Sequence, residues 1–369
     1  FLPRKNLSYE NLLDSLLTDP ELLRKNEQQL FGQYYKLRDV LKKYRQIQKN
    51  GDWNPIAIDS LDKTYKPSDS STTIGKIRQR LAITGDLKAD SKSNVYDPEL
   101  MAGIVNYKKR NGFNIDYVIA SKHIQRMNIP IEKHIKTIIA NMERCRWIDP
   151  ALTKTEEYII INIPSYRFFF KKNGKNELES KVFVGKNMTE TVVLSSSISK
   201  IVFSPYWNIP KSIIENEIKD AMALDENYLA KNNIEWNKGN ARQKPGPKNS
   251  LGLIKFVFPN SEDIYLHDTP SKDLFQYEYR AYSHGCINLE KAKELALLIL
   301  QDDPDWPIER INEAMKGEKE TVCILKKKIP IHIGYFTAWV SDSGEISFYN
   351  DIYLRDDRLT ELLFADDIK

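Results

Sequence analysis

The first third of the chain carries apolar residues at the spacing of helices. Asp19 followed by Pro20 is typical of a helix N-cap with proline in the first turn, and Asn50-Gly51 is a typical helix end. Between these signals the apolar positions recur every three to seven residues, at Leu23, Leu30, Tyr34, Leu37 and Leu41. This pattern predicts helical structure over about residues 20–50.

A second helical segment follows a polar stretch, PSDSSTT (67–73), which predicts a loop. Asp97-Pro98 is a helix start, and Leu100, Ile104 and Tyr107 then share one helical face until Asn111-Gly112 ends the helix. A further helix is predicted from about Pro130 through KHIKTIIANMERCRW.

At Glu156 the period changes from that of helices to that of strands. The run EYIIINIPSYRFFF is rich in β-branched and aromatic residues, and Asn173-Gly174 predicts a hairpin turn. Further predicted strands are KIVFSPYW, LIKFVF, DIYLH, IPIHIGYFTAWV and EISFYN. A mostly polar, helix-forming insertion between Pro210 and Pro247 interrupts this series, and we interpret it as a cap on a β-rich core.

These patterns predict an α+β multidomain chain. Its predicted segments are an N-terminal helical scaffold (1–72), a small helical module (73–130), a connecting helix (131–154), a β-rich domain (155–354) with a helical cap insertion (208–247), and a C-terminal tail (355–369). A chain of 369 residues is too long for one ordinary core, which agrees with several domains.

Composition limits the classes of partner. The hydrophobic fraction of 41% and charged fraction of 29% are those of a globular protein. A net charge of +4 is too small to indicate nucleic-acid binding. No window approaches eighteen consecutive apolar residues. The chain starts at Phe1 rather than Met, so we expect a processed or truncated form without its signal peptide or anchor.

Candidate chemistry is concentrated in HDTPSKDLFQYEYRAYSHGCINLE (267–290). Strand alternation places Tyr265 and His267 on one face of the predicted sheet. The 19 residues from His267 to Cys286 are enough for the chain to leave the strand end and come back to it, so the two side chains can meet. Gly285 permits a tight turn whose backbone N–H groups face a developing oxyanion. The residues after Cys286 look helical, and a helix N-terminus would favour the thiolate.

Other interpretations of these residue types stay open. Three cysteines exclude a disulfide framework, and a lone cysteine is usually a small core residue, as we expect of Cys145 and Cys323. We expect His123, His134 and His332 to be structural. A His/His/Cys set can also bind zinc, although the short paired spacing of a metal hairpin is missing. The residue types alone favour a nucleophile modestly.

The string SHGCIN (283–288), with a histidine 19 residues before the cysteine, resembles the signature of the L,D-transpeptidase (YkuD-type) catalytic domain. SPYWNIPKSI, RQKPGPKNSLGLIKFVFPN, YLHDTPSKDLF and RAYSHGC are similar to its YcbB-like subgroup, and the resemblance runs from about Thr155 to the C-terminus. The stretch YDPELMAGIVNYKKRNGFNIDYVIASKHI (96–124) resembles a peptidoglycan-binding domain. Tyr117 and Ala120 replace glycines usual there, which leaves polymer binding open.

The resemblance implies an enzyme of the cell envelope, in the periplasm, that acts on peptidoglycan stem peptides as donor and acceptor and contributes to cell shape. A cysteine would attack the third stem residue, release D-Ala and pass the acyl group to a second stem amine, forming a 3–3 cross-link. It also implies inhibition by carbapenem β-lactams, no metal or organic cofactor, and membrane or wall attachment of the full-length protein. Water, a free D-amino acid or a protein lysine stay open as acceptors, as does a non-catalytic wall-binding scaffold.

The resemblance also implies roles for particular residues. Cys286 would be the nucleophile and His267 the general base, with the carbonyl of Asp268 orienting the imidazole. Backbone N–H groups of Gly285 and Cys286 would form the oxyanion hole, and His284 would shape it. The expected substrate-binding residues are Tyr265, Trp207, Asn288, Ser283 and Arg280. For Arg280, pairing with a stem carboxylate and a structural ion pair are equally open.

Overall fold

The computed structural model describes residues 30–60 and 62–364, and the chain divides into two compact units. One unit comprises Phe1–Ala151 together with Phe336–Lys369, and the other comprises Leu152–Tyr335. The predicted helix start at Asp19-Pro20 and its Leu23 lie outside the described residues. Among the described helices, none combines the length and apolarity that a membrane crossing requires.

The first unit is mainly helical. Its helices are α1 (Gln33–Asn50), α2 (Thr72–Thr84), α3 (Pro98–Asn111), α4 (Ser121–Met127), α5 (Ile131–Arg146) and α11 (Asp356–Leu363). Its strands are β1 (Thr64–Tyr65), β2 (Ile119–Ala120), β15 (Ala338–Val340) and β16 (Ile346–Phe348).

The predicted helix ends are confirmed by cap geometry. The Asp97 carboxylate accepts the Leu100 N–H at 2.9 Å, so it caps α3 ahead of Pro98. Gly51 and Gly112 end α1 and α3 in the left-handed region, at φ 72° and 75°.

Residues 336–354, which the sequence placed with the β-rich domain, group with the helical unit. The reason is a buried polar network: the Asn141 amide of α5 donates to the Thr337 hydroxyl at 2.8 Å, and Arg144 pairs with Asp356 at 2.6 Å. Such a network was not visible from the hydrophobic pattern. The finer five-segment division stays a prediction.

The second unit is built on strands, as predicted. In order they are β3 (Glu157–Asn162), β4 (Arg167–Lys172), β5 (Lys175–Gly185), β6 (Leu194–Phe203), β7 (Trp207–Asn208), β8 (Ile234–Asn237), β9 (Asn240–Gln243), β10 (Ile254–Val257), β11 (Leu266–His267), β12 (Ala281–Ser283), β13 (Ile287–Leu289) and β14 (Thr321–Gly334). Helices α9 (Ala292–Leu300) and α10 (Ile308–Ala314) complete it. The Asn173-Gly174 turn has φ 50° and 77°, which matches the hairpin turn that the sequence predicted.

The main sheet closes on itself through β5. Within residues 152–335, all of which the structure describes, the ladder runs β12-β5-β13-β11-β10-β6-β14-β3-β4, and β4 pairs again with β5. The first part of β5 pairs with β4, whereas Val182 and Phe183 pair with β13. A closed ladder encloses its inward residues as a core, and Phe168, Phe256 and Ile287 are accordingly buried.

The cap insertion is half helix and half sheet. The predicted helical part is present as α6 (Lys211–Ile213), a π-helical turn (Ile214–Ile218), α7 (Lys219–Leu224) and α8 (Tyr228–Lys231). The rest is a three-stranded sheet of order β7-β9-β8, which the sequence analysis did not predict. Lys238 and Gly239, at φ 51° and 82°, form the turn between β8 and β9.

Candidate active site

Two adjacent parallel strands bring the predicted site residues onto one face. Leu266 pairs with Ile287 and His267 with Asn288, while the Ile287 N–H donates to the Tyr265 carbonyl at 3.0 Å. One step back along both strands, Tyr265 therefore stands beside Cys286. Because alternate residues share a face of a sheet, this pair and the His267–Asn288 pair face the same side.

That face opens into a cavity of about 390 Å³. Seven of the predicted residues line it: Trp207, Tyr265, His267, Ser283, His284, Cys286 and Asn288. Gly285, Asp268 and Arg280 do not line it. The structure thus gathers the imidazole, the thiol and four of the five expected substrate contacts around one cavity.

His267 is buried and its imidazole is held in one tautomer. Its Nδ1 lies 2.5 Å from the Asp268 carbonyl, which can only accept, so Nδ1 carries the proton and the lone pair of the neutral ring lies on Nε2. Burial lowers the pKa of His267 to about 4, against the opposing effect of Asp268. At neutral pH the ring is therefore uncharged and able to accept a proton.

Asp268 is itself fixed by three contacts. Its N–H donates to the Ile254 carbonyl at 2.8 Å, and its carboxylate accepts the Leu253 N–H at 2.9 Å and pairs with Lys272 at 2.6 Å. Gly252, at φ 62°, lies against this carboxylate so closely that an added Cβ would approach it to 2.4 Å. The carbonyl that orients His267 thus has a rigid support.

Cys286 is a protonated thiol in the resting site. Burial raises the pKa of Cys286, while hydrogen bonds from the Tyr265 N–H and hydroxyl and the charge of Lys255 oppose that rise. The expectation of a helix N-terminus at the thiol is wrong. Cys286 leads into strand β13, and α9 begins only at Ala292, because Ile287 and Leu289 are buried with strand alternation. The thiol therefore depends on Tyr265 and Lys255, not on a helix dipole.

The turn before the thiol is held by Ser283. Its hydroxyl donates to the Cys286 carbonyl at 2.5 Å and accepts the Gly285 N–H at 3.2 Å. Gly285 has φ 108°, which an L side chain rarely adopts. The Gly285 N–H, for which an oxyanion-hole role was expected, is thus already engaged by the Ser283 hydroxyl. The Cys286 N–H has no hydrogen-bond partner among the described residues and remains available.

The rim of the cavity is formed by Trp207, His284 and the cap. The Trp207 indole lies within hydrogen-bond reach of the Tyr265 hydroxyl, and burial followed by the Cys286 thiol raises the pKa of Tyr265. His284 Nε2 lies 2.7 Å from the Glu217 carboxylate on the π-helical turn, and both side chains are exposed. This contact joins the turn before Cys286 to the cap.

Arg280 does not serve the cavity. It is 8% exposed, and its guanidinium donates to the carbonyls of Tyr277 (2.5 Å), Val182 (3.3 Å) and Tyr166 (3.3 Å). The expectation that it pairs with a substrate carboxylate is therefore not supported, since its donors are used inside the fold. Its partners are backbone carbonyls, so the alternative of a structural ion pair is not observed either.

Lys255 and Glu217 belong to the site although the sequence did not single them out. Lys255 pairs with His267 across the β10–β11 ladder, and its Nζ lies 3.7 Å from the centre of the Tyr265 ring. In the sequence, Lys255 stands out as the single charged residue of the apolar strand LIKFVF. Only the register of that strand shows that it lies opposite His267. Glu217 lies in the cap, where nothing in the sequence distinguished it from neighbouring acids.

No described His, Cys, Asp and Glu side chains form a group of three or more arranged to hold a metal ion. All three cysteines are unpaired, and Cys145 and Cys323 are buried. Burial raises the pKa of both thiols, so they have the properties of core residues.

Comparison with known proteins agrees with the sequence resemblance. A family profile described as the L,D-transpeptidase catalytic domain (YkuD) matches residues 156–310. A Haemophilus influenzae protein described as "Putative L,D-transpeptidase" is 35% identical over 216 residues, or 53% of this chain and 44% of the relative. The match thus spans less than half of that curated relative. The similarity to the YkuD-type L,D-transpeptidase catalytic domain thus covers residues 156–310, less than half of this chain.

Solved structures with detected similarity include two L,D-transpeptidases. The one from Stackebrandtia nassauensis is 13% identical, with a TM-score of 0.28 over 75% of this chain and 97% of its own. L,D-transpeptidase 3 from Mycobacterium tuberculosis, in complex with a faropenem-derived adduct, is 14% identical, with a TM-score of 0.28 over 48% of this chain and 60% of its own.

Proposed function

We propose that this chain is a cysteine-dependent L,D-transpeptidase of the cell envelope, acting on peptidoglycan stem peptides. It acylates Cys286 with the third residue of a tetrapeptide stem, releases D-Ala, and passes the acyl group to a second stem amine to form a 3–3 cross-link. The observation that carries the proposal is the shared cavity face of Tyr265, His267, Cys286 and Asn288. The family profile over residues 156–310 supports the same reaction class.

Acylation begins with a proton transfer. The Cys286 thiol gives its proton to Nε2 of His267, and the sulfur attacks the carbonyl carbon of the donor stem. The resulting imidazolium carries a proton on both nitrogens, and the Asp268 carbonyl accepts the Nδ1–H throughout. A thiol with a raised pKa and a neutral imidazole that line the same cavity favour this order over a preformed ion pair.

The tetrahedral intermediate carries a negative oxygen. The Cys286 N–H and the Tyr265 hydroxyl are the donors that face it, with the Lys255 charge behind the tyrosine ring. When the C–N bond breaks, the leaving D-Ala amine takes the proton from His267. The thioester on Cys286 and the neutral imidazole remain.

Transfer repeats these steps in reverse. The acceptor amine attacks the thioester while His267 takes its proton, and the thiol regains a proton as the C–S bond breaks. Water, a D-amino acid or a protein lysine would react with the same acyl-enzyme. The identity of the product therefore shows which acceptor was used. A carbapenem carbonyl would acylate the same sulfur, and the thioester would form as its four-membered ring opens.

A tetrapeptide-bearing muropeptide of defined structure tests this proposal. We expect intact mass to show an acyl adduct on Cys286 with release of D-Ala, and product analysis to show a 3–3 linked dimer. Cys286→Ala should abolish the adduct, whereas Cys323→Ala should retain it because that thiol is buried away from the cavity. Adduct formation in Cys286→Ala would overturn the assignment, and hydrolysed tripeptide as the sole product would indicate a carboxypeptidase.

A further inference from the structure

The helical unit contains a second cavity, which we call the arginine pocket. Its volume is about 20 Å³, enough for one particle of the size of a water molecule. Aromatic rings form much of its wall, and polar side chains complete it: Tyr44, Trp53, Arg80, Thr84, Tyr107, Arg110, Asn111, Arg126, Met127, His134 and Phe348. None of these residues belongs to the site described above.

The pocket holds more positive than negative charge. Arg110 is neutralised by Asp86, which accepts from its Nε and from a terminal nitrogen, each at 2.6 Å. Arg80 donates to the carbonyls of Met127 and Asn54, and stacks on the Trp53 ring at 3.8 Å. These contacts satisfy donors of Arg80 but leave its charge unbalanced.

Arg126 is in the same situation. It donates to the Phe348 carbonyl at 2.6 Å and to the Asn350 amide oxygen at 2.9 Å. Among the described residues, no carboxylate pairs with Arg80 or Arg126. Arg80 is buried and Arg126 is half-buried, so an opposite charge between them would be stabilising.

Two buried polar side chains also lack partners at this cavity. Tyr44 is 2% exposed and His134 is 6% exposed, and both line the pocket. Neither the Tyr44 hydroxyl nor the His134 ring nitrogens form a hydrogen bond with any described residue. Buried polar groups in folded proteins nearly always have a partner, so both point to an occupant of the cavity.

The electrostatic environment agrees with this charge count. Burial, followed by the charges of Arg126, Arg110 and Arg80, lowers the pKa of His134 to about 3. At neutral pH the imidazole is therefore uncharged, and it can offer one N–H to an occupant. Burial also lowers the pKa of Arg80 to about 10, which leaves its guanidinium charged under the same conditions.

We propose that the arginine pocket binds one small monovalent anion of about the size of chloride. The anion would accept hydrogen bonds from the Tyr44 hydroxyl and the His134 N–H. Its negative charge would offset the positive charges of Arg80 and Arg126. A water molecule would satisfy the hydrogen bonds but would leave both charges uncompensated. This site is independent of the thiol chemistry.

Calorimetric unfolding of the whole chain tests the site, with chloride replaced by gluconate at constant ionic strength. Binding to the folded state alone should raise the unfolding midpoint of the helical unit in chloride, by about 5 °C at a hundredfold excess over Kd. Arg126→Gln should lose this chloride-dependent rise, and Tyr44→Phe, which keeps the buried ring, should reduce it. The exposed Arg45→Gln makes the same charge change and should retain it.

A crystal soaked in bromide gives a direct second measurement. We expect one anomalous peak between Arg80 and Arg126 that is missing in Arg126→Gln. Equal midpoints in chloride and gluconate, together with no bromide peak in the pocket, would mean that it holds water and would overturn the proposal. The quantity compared is the difference in unfolding midpoint between chloride and gluconate. A variant that is less stable in both salts would therefore not be mistaken for one that has lost the site.

Discussion

His267 Nδ1 lies 2.5 Å from the carbonyl oxygen of Asp268, and this contact settles which ring nitrogen is free to accept a proton. The carbonyl is supported by the Asp268 side chain, whose partners lie on the neighbouring strand end and at Lys272. The His267 ring is therefore oriented by a backbone carbonyl, and the Asp268 side chain acts on the ring only through its support of that carbonyl.

The pH dependence of acylation should reflect the buried imidazole. Because the pKa of His267 is lowered to about 4, the ring is neutral and active above that pH, and activity falls only as pH drops through about 4. The measurement is the second-order rate of acylation by a carbapenem between pH 3 and 8, with short exposure at acid pH. An acid limb near 6.5, the ordinary value for histidine, would contradict it.

Tyr265→Phe should slow acylation about 10- to 100-fold, since one hydrogen bond to a charged group is worth about 1.5–3 kcal/mol. The ring stays in place over Lys255, so the unfolding midpoint should hardly change. Stopped-flow acylation measures the effect. Tyr279→Phe is the matched control, because that exposed ring does not line the cavity. Unchanged acylation in Tyr265→Phe would remove the hydroxyl from the mechanism.

Lys255→Gln should make the thiol less reactive. The Lys255 charge favours the Cys286 thiolate against burial, so its removal should slow alkylation by iodoacetamide about three- to tenfold near neutral pH. It should also shift the pH profile of alkylation upward. Lys175→Gln, on an exposed part of β5, controls for net charge. A profile that does not move would assign Lys255 a packing role alone.

Gly252→Ala should reduce both stability and acylation. Its φ of 62° is strained for alanine, and the added Cβ would meet the Asp268 carboxylate at 2.4 Å. We expect a loss of about 2–3 kcal/mol of unfolding free energy, of which about 1 kcal/mol is backbone strain.

Gly174→Ala separates these two causes. It has a similar φ of 77° but open space around the added Cβ, so it should show the strain without loss of acylation. Urea unfolding and acylation rates of both variants make the comparison. Equal acylation rates in the two would show that the Asp268 support does not matter for His267.

His284→Ala should cost less than about tenfold in acylation. Its ring lies at the rim, 40% exposed, and pairs with Glu217, which is 51% exposed. Exposed ion pairs contribute about 0–1 kcal/mol, so Glu217→Gln should have a similarly small effect on the rate. Parallel acylation assays check both. A loss of a hundredfold or more in His284→Ala would give this ring a direct catalytic role.

The sequence predicted the parts of the fold that depend on local signals. Helix ends at Gly51 and Gly112, the Asp97 cap and the Asn173-Gly174 turn follow from residue chemistry over a few positions. Two features depend on contacts between residues far apart in the sequence: closure of the sheet by β5, and the grouping of residues 336–364 with the helical unit. The spacing of hydrophobic residues along the chain does not predict such contacts. The strand after Cys286 was missed because INL is short and runs into a true helix.

The site shows the same division. Tyr265 and His267 were placed on one face by strand alternation, and the structure has them so. Lys255 required the register of β10 with β11, and the engagement of the Gly285 N–H by Ser283 required the geometry of the turn. The sequence left a substrate contact and a structural role of Arg280 equally open, and only the structure shows its guanidinium bound to backbone carbonyls inside the fold.

Strand β5 closes the sheet and also supports the turn that precedes Cys286. Its last residue, Gly185, donates to the Thr191 hydroxyl at 2.9 Å, and that hydroxyl donates to the Gly285 carbonyl at 2.8 Å. Thr191 therefore links the end of this closing strand to the backbone of the turn that precedes Cys286. A substitution at Thr191 would therefore disturb the closing strand and the turn before the thiol together.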